Sequence, residues 1–95
     1  MIRREGRRMV LSGPITLDNV VRVLGEGRQH IAEGVRSVDL SEVTEMDSAL
    51  LALLLAWLRD ARAHRRELSV TNPPESLQTI ARLYGVDELI PAASR

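Results

Sequence analysis

Two patterns of apolar residues alternate along this chain, one with the period of a β-strand and one with the period of an α-helix. The strand pattern opens the chain, where Gly6 separates residues 2–5 from residues 7–12. In the second of these segments Met9 and Leu11 lie two positions apart and therefore share one face. We predict a β-hairpin that turns at Gly6.

Further strands are predicted downstream of the hairpin. The Gly13-Pro14 pair is expected to break the hairpin's second strand. Residues 35–40 predict a third strand, in which Val38 and Leu40 share one face opposite Ser37 and Asp39, followed by a polar connection over residues 41–47. Leu68 and Val70 mark a fourth strand near the C-terminal third of the chain.

Three segments between or after these strands have apolar residues at helical spacing. The first begins after Thr16, a residue type that caps helix N-termini, and Gly34 is expected to end it. Gly25 and Gly27 interrupt its middle, and each costs up to about 1 kcal/mol of helix stability relative to alanine. Its predicted buried stripe comprises Leu17, Val20, Val21, Leu24, Arg28 and Ile31.

The second helical segment runs from Ser48 to about His64 and is the strongest predicted element of the chain. The third has the signature of a helix start, with Asn72 as the cap, Pro73 in the first turn and Glu75 three residues after the cap. Gly85 is expected to end it. The apolar positions of this third helix are Leu77, Ile80, Ala81 and Tyr84.

The predicted order of elements is β-β-α-β-α-β-α over residues 1–95. Residues 86–90 remain as a tail that either covers the core or adds a strand at the edge of the sheet. Strands separated by single helices favour parallel pairing with right-handed crossovers. We therefore predict a single α/β domain, with a mixed, mostly parallel sheet of about four strands and helices packed on it.

The helix that begins at Ser48 has more apolar surface than one sheet can cover. A helix lying on a sheet needs an apolar stripe somewhat over about 100° wide. Either neighbouring helices of the same domain cover the surplus, or part of it is exposed and binds a partner. The small residues Ala52 and Ala56 would let another backbone approach closely. The run of apolar residues is Ala49, Leu50, Leu51, Ala52, Leu53, Leu54, Leu55, Ala56, Trp57 and Leu58.

Ser48 follows Asp47 at the start of this helix. Serine caps helix N-termini through its hydroxyl oxygen, so a structural role is expected. A functional role is compatible with the cap, because the positive end of the helix dipole tolerates a phosphate group. Ser48 is therefore both a candidate cap and a candidate phosphorylation site.

Charge and composition argue against two classes of partner. Lys+Arg and Asp+Glu each number 13, so the formal net charge is zero, although arginines cluster within residues 3–8. One Trp, one Tyr and no Phe leave few rings on which nucleic-acid bases could stack, so we expect no nucleic-acid binding. The apolar run over residues 49–58 is far shorter than the ~20 residues that span a bilayer. With a charged N-terminus unlike a signal peptide, we expect a cytoplasmic protein with no direct membrane insertion.

The residue types that carry catalysis are scattered. His30 and His64 fall on different predicted helices without a metal-ligand partner at helical spacing, and the chain has no cysteine. Asp39 and Asp47 flank the predicted polar connection, where turn and cap roles are typical of aspartate. Ser48 lacks the flanking glycines of a nucleophile elbow. We expect no enzymatic activity, no cofactor and no metal.

Three segments resemble one protein family: residues 38–55 (VDLSEVTEMDSALLALLL), residues 11–15 (LSGPI) and residues 81–85 (ARLYG). They are similar to STAS domains, the fold of anti-sigma factor antagonists. In that family a strand ending in Asp-Leu leads to Asp-Ser or Asp-Thr at the start of a long helix. Within it, the chain resembles the STAS subunits of ABC transporters that maintain the lipid asymmetry of the outer membrane.

The resemblance implies a non-enzymatic subunit that binds and supports the transporter's ATPase subunit, and that is held at the inner membrane through this partner. Ser48 matches the family's Ser/Thr at the helix start, which lies at the ATPase interface in the transporter subunits. The predicted partner-binding residues are Asp47, Ser48, Ala49, Leu51, Ala52 and Leu55. The isolated chain is expected to form at most a weak homodimer through exposed apolar surface.

The resemblance also carries an alternative function. In the antagonists the matching Ser/Thr is phosphorylated by a partner kinase, so this chain could be an anti-sigma factor antagonist regulated at Ser48. Antagonists usually have small residues after that position, whereas Ala49 here is followed by the bulky Leu50. That departure, together with the apolar helix, favours a lasting interface over a phosphorylation switch.

Overall fold

A computed structural model describes residues 1–90 of the chain. Its four-stranded sheet has the order β1-β2-β3-β4, with β1 antiparallel to β2 and the other two pairs parallel. The strands are β1 (Ile2–Glu5), β2 (Arg8–Ile15), β3 (Ser37–Met46) and β4 (Ser69–Thr71). The helices are α1 (Val20–Ala32), α2 (Ser48–Ala63) and α3 (Glu75–Leu83). The predicted mixed, mostly parallel sheet with packed helices is thus confirmed, as is the hairpin at Gly6.

The core lies between one face of the sheet and the helices. The register places Met9 of β2 beside Val38 of β3, and Val38 beside Val70 of β4, and all three are buried. Trp57 of α2 fills the space between helices, with none of its surface exposed. Its indole Nε1–H donates to the Leu24 carbonyl oxygen of α1 at 3.1 Å, which satisfies its one polar group.

Gly27 is buried in α1 because the Trp57 ring occupies the space a side chain would need. A Cβ atom at Gly27 would lie 2.1 Å from the ring, whereas a Cβ atom at Gly25 would meet nothing within 4 Å. Sequence reasoning treated both glycines as equal weak points of the helix. The structure separates them, since one is required for helix packing and the other is not.

Both central strands are longer than predicted. Gly13-Pro14 does not end β2, which continues to Ile15, and residues 41–46 extend β3 instead of forming a connection. The pairing shifts register twice along these ends, so that β3 has an extra residue opposite β2 at each shift. Gly13 takes a φ of +80°, which a glycine adopts without strain. The turn signal therefore marks an irregularity within a paired strand.

Helix α1 begins later than predicted. Thr16 is not its cap: the Thr16 N–H donates to Asn19 Oδ1 at 3.0 Å, and the resulting turn delays the helix to Val20. Leu17 and Val21, both assigned to the buried stripe, are 76% and 79% exposed. The fully buried residues of the helix are Val23, Gly27 and Ile31. Arg28 is exposed and pairs with Asp60 of α2 at 2.6 Å.

The predicted caps of the other two helices are also wrong. Asp47, not Ser48, caps α2, and the N-cap position of α3 is Pro74, not Asn72. Asn72 instead adopts a φ of +53° and donates from its side-chain amide to Asp39 at 3.2 Å. Asn72 acts in the turn that precedes α3, whereas Ser48 is displaced from the cap of α2 by the Asp47 carboxylate one residue earlier.

The C-terminal tail covers the core and does not add a strand. Residues Asp87–Leu89 form a short 3₁₀ turn, and Val86 and Ile90 on either side of it pack partly buried against the core. Tyr84, predicted to continue the apolar stripe of α3, is 64% exposed. The core contacts of α3 are made by its buried residues Leu77 and Ala81.

The opposite face of the sheet carries ion pairs around the buried Asp39 carboxylate. Arg3 pairs with Glu42 at 2.9 Å, and Arg8 lies 3.8 Å from Asp39, which is 7% exposed. Burial raises the pKa of Asp39. Hydrogen bonds from Ser41 and from the Asn72 amide, with the charge of Arg8, outweigh burial and leave that pKa below its ordinary value.

We expect Asp39→Ala to lower the free energy of unfolding by about 2 kcal/mol at neutral pH, because it leaves the Ser41 N–H and the Asn72 amide without their acceptor. A carboxylate with a lowered folded pKa stabilises the fold above the unfolded pKa of about 3.9 and loses this effect as pH falls through the folded pKa. The difference in free energy of unfolding between wild type and Asp39→Ala, measured by urea unfolding, should therefore become smaller below about pH 4. A difference that stays constant as the pH falls below this value would contradict this role for the carboxylate.

Candidate partner-binding site

One carboxylate organises the N-terminal end of α2. Asp47 Oδ1 accepts a hydrogen bond from the Ala49 N–H at 2.8 Å and so caps the helix. Its other oxygen, Oδ2, accepts from the Leu17 N–H at 3.0 Å and so fixes the loop before α1. Asp47 therefore joins the starts of the two helices, which leaves Ser48 as the first residue of α2 with its side chain exposed.

The predicted partner-binding residues divide into accessible and buried positions. Asp47, Ser48 and Ala52 are exposed and Leu55 is half-buried, so these four reach the surface. Ala49 and Leu51 are only 7% and 4% exposed and do not offer surface to a partner. The flanking helices α1 and α3 both pack against α2 and cover part of its apolar arc. Neighbouring helices thus cover part of the apolar surplus, and Ala52 and Leu55 leave another part accessible.

Two exposed apolar side chains that sequence reasoning had assigned to the core extend the accessible surface. Leu17, in the loop before α1, is hydrogen-bonded to the α2 cap Asp47, and Arg28 of α1 is paired with Asp60 of α2. Val21 lies between these contacts, on the same side of α1 as Arg28. Leu17 and Val21 therefore border the exposed part of α2. We call the set Leu17, Val21, Ser48, Ala52 and Leu55 the docking face.

Nothing in the sequence indicates that Leu17 and Val21 are exposed while other apolar residues of the same segment are buried. Leu17 and Val21 form one column at i, i+4 spacing, while Val20 and Leu24 form the adjacent column. Either column could face the sheet. In the structure Val20 and Leu24 pack partly buried against the core, on a helix whose Gly27 lies against the Trp57 ring.

The border of the docking face is acidic. A cleft of about 410 Å³ beside it is lined by Asp18, Glu45 and Asp47, together with Leu17 and Asn19. A basic group is the expected neighbour for this border in a complex, because three carboxylates favour positive charge.

Within residues 1–90, none of the helices has the length and apolar character of a membrane-spanning segment.

The mixed sheet, the Asp-Leu strand and the exposed serine at the start of a long apolar helix define a STAS domain. The chain belongs to this family: the model described as "Mlab, STAS domain" matches residues 2–91. It is 31% identical over 83 residues to the intermembrane phospholipid transport system binding protein MlaB of Escherichia coli K12, covering 87% of this chain and 84% of the relative. The MlaB protein of Shigella flexneri matches with the same identity and coverage.

Solved structures show the same fold. The anti-sigma factor antagonist SpoIIAA in its unphosphorylated form superposes with a TM-score of 0.73 at 17% identity, covering 100% of this chain and 88% of that one. The phosphorylated form of the Bacillus protein gives a TM-score of 0.70, with 100% and 91% covered. At this identity the likeness concerns the fold alone.

Proposed function

We propose that this chain is a non-enzymatic STAS subunit that binds and supports the ATPase subunit of a lipid-transporting, Mla-type ABC complex, and so helps maintain outer-membrane lipid asymmetry. The similarity to MlaB over 87% of the chain is the observation that carries the proposal. ATP hydrolysis would belong to the partner. The subunit would sit in the cytoplasm and be held at the inner membrane through that partner.

The geometry of the docking face supports a protein partner. Leu17 and Val21 are more than three-quarters exposed, and burying them in an interface would gain about 25 cal/mol for each Å² of apolar surface removed from water. Ala52 lies on the exposed side of α2 and has no side chain beyond Cβ, so a partner backbone can approach closely there. The exposed Ser48 hydroxyl is available to hydrogen-bond the partner.

Each predicted site residue then has a distinct role. Ser48, Ala52 and Leu55 contact the partner directly, with Leu17 and Val21 at their border. Asp47 positions this surface by holding the two helix starts together. Ala49 and Leu51 support it from below as buried residues. In the absence of a partner, the same face could pair weakly with a second copy of the chain.

An anti-sigma factor antagonist regulated at Ser48 is the alternative. The exposed hydroxyl at the positive end of α2 favours it, because a kinase could reach the group and the helix dipole would stabilise the phosphate. The adjacent Asp47 and nearby Asp18 and Glu45 oppose it by placing negative charge around the added phosphate.

Affinity purification of the tagged chain from detergent-solubilised native membranes tests the proposal. We expect an ABC ATPase subunit to co-purify with wild type and to be lost with Ser48→Arg, whose side chain would place a charge in the interface. Wild type that recovers no ATPase subunit would argue strongly against the proposal. Unfolding of Ser48→Arg would mean that Ser48 acts in the fold, in which case the loss of capture would say nothing about an interface.

A second measurement separates the two functions. The chain is incubated with ATP and a lysate fraction that contains the cognate kinase, and its intact mass is then measured. A stoichiometric gain of one phosphate on wild type, absent from Ser48→Ala, would favour the antagonist. An unchanged mass together with ATPase capture would favour the transporter subunit.

A further inference from the structure

A basic cleft of about 810 Å³ lies at the C-terminal end of α2, whereas the docking face lies at the N-terminal half of that helix. Helix α2 has 16 residues and is therefore about 24 Å long, and its C-terminal end borders this cleft. Glu67 is the single acidic residue among the residues that line it. The arginines that line it are Arg7, Arg36, Arg62, Arg65 and Arg66.

One of these arginines has a clear structural role. Arg66 Nη1 donates to the Ile31 and Ala32 carbonyl oxygens at 2.6 and 2.9 Å, and so satisfies the C-terminal end of α1. Arg7, Arg36, Arg62 and Arg65 make no ion pair within residues 1–90. Elsewhere on the surface Arg3, Arg4, Arg8 and Arg28 are paired with carboxylates, whereas Arg22, Arg59 and Arg82 make no ion pair within residues 1–90 and lie outside the cleft.

The unpaired arginines are presented from a well-bonded backbone. The Arg36 N–H donates to the Arg7 carbonyl oxygen at 2.6 Å, and the Ser69 N–H donates to the Arg36 carbonyl oxygen at 3.0 Å. The hairpin turn, the start of β3 and the start of β4 are therefore joined at this end of the sheet. Like charges that line one cleft repel each other and raise the energy of the fold, and the core does not include these side chains.

The floor of the cleft is apolar. Leu58 and Leu68 line it from α2 and from the segment before β4, and Leu89 of the C-terminal tail, 52% exposed, lines its edge. A ligand that fits must therefore offer apolar groups to the floor and negative charges to the rim. We propose that this cleft binds an acidic segment of a partner protein in which apolar side chains are interspersed with Asp or Glu.

The shape of the cleft favours a peptide over other anions. A compact phosphate site gathers backbone N–H groups or buried donors around one point, whereas these four guanidinium groups are exposed and come from three segments: the hairpin turn, the start of β3 and the end of α2. A bilayer surface is flat and would leave the concave floor unfilled. Carboxylates spaced along a peptide match spread guanidinium groups one by one, and each pair forms charge-assisted hydrogen bonds.

The two ends of the molecule therefore have opposite character despite a net charge of zero. The docking face has an acidic border, and the far end has the basic cleft. Ser48 of the docking face and Arg62 of the cleft are separated by about 21 Å of helix, whereas Leu55 and Leu58, the nearest residues of the two surfaces, lie three positions apart on α2. The cleft thus adds a second, neighbouring interaction surface to the proposed function.

Fluorescence anisotropy with a short fluorescein-labelled peptide of alternating Glu and Leu residues tests the inference on the full chain. We expect saturable binding at low ionic strength that weakens as salt is added. The double variant Arg62→Gln/Arg65→Gln should bind about tenfold more weakly, since each exposed ion pair contributes modestly. The matched control is Arg22→Gln/Arg59→Gln, which removes two exposed arginines that do not line the cleft and should bind like wild type.

Two further probes distinguish other anions from a peptide. Co-sedimentation with phosphatidylglycerol vesicles and titration with inorganic phosphate are run on the same variants. Vesicle or phosphate binding that depends on Arg62 and Arg65, without peptide binding, would overturn the proposal. Equal peptide affinity for wild type and both double variants would overturn it as well, because the arginines of the cleft would then make no contribution.

Discussion

We expect Ala52→Arg to weaken capture of the proposed ATPase subunit by about a hundredfold while leaving the isolated chain as stable as wild type. Burying an uncompensated guanidinium in an interface costs about 3 kcal/mol, which corresponds to that loss of affinity. Ala52 is exposed in the middle of α2, and arginine is nearly as good a helix former as alanine. The fold should therefore tolerate the change that the complex does not.

Ala63→Arg is the matched control. It makes the same substitution at an exposed alanine of the same helix, but near the C-terminal end, away from the docking face. Affinity is measured by titrating the purified ATPase subunit against each variant, and stability by thermal unfolding. If both variants bind the ATPase subunit as wild type does, the interface does not include this face of α2.

The second large effect is expected at Gly27. Gly27→Ala should lower the free energy of unfolding by about 2 kcal/mol, although alanine is the better helix former. The added Cβ would lie 2.1 Å from the Trp57 ring. Overpacking a core site costs about 3 kcal/mol, and the gain in helix propensity offsets up to about 1 kcal/mol of it. The ring has no free space to move into, because Trp57 is fully buried and its Nε1–H is bonded to Leu24.

Gly25→Ala, on the same helix, is expected to raise the free energy of unfolding instead of lowering it. A Cβ atom at Gly25 meets nothing within 4 Å, so we expect a gain in stability of up to about 1 kcal/mol from propensity alone. Urea unfolding of the two variants tests both predictions, a lower free energy of unfolding for Gly27→Ala and a higher one for Gly25→Ala. The comparison requires that the m-values of the variants equal that of wild type. Equal effects of the two substitutions would contradict the packing of α1 on α2 around Trp57.

The errors in predicting this fold occur where the same short sequence pattern is compatible with two different local structures. Thr16 and Asn72 are good capping residues, but both act in turns that precede their helices. Gly13-Pro14 looks like a chain break and is an irregular part of a paired strand. The polar residues 41–46 look like a loop and extend β3, because the outer face of this sheet is charged.

The candidate site was predictable in part. The Asp47-Ser48 pair and the apolar helix after it are visible in the chain, and Ser48 and Ala52 are exposed where they were expected to be. Ala49 and Leu51 were placed on the surface and are buried, whereas Leu17 and Val21 were placed in the core and are exposed. Arg62, Arg65 and Arg66 are close together in the chain, but Arg7 and Arg36 are too far from them for spacing to suggest a common site.

By itself the sequence determined the order of elements, the family and the helix that carries the candidate site, because periodicity and motif spacing are local properties of the chain. Tertiary structure alone decided which apolar residues of α1 and α2 remain at the surface. A single ring, Trp57 against Gly27, sets how α1 lies on α2, and that contact joins residues far apart in the chain. The same holds for the basic cleft, because hydrogen bonds between the segments of Arg7, Arg36 and Ser69 hold two distant arginines at the end of the sheet that borders Arg62 and Arg65.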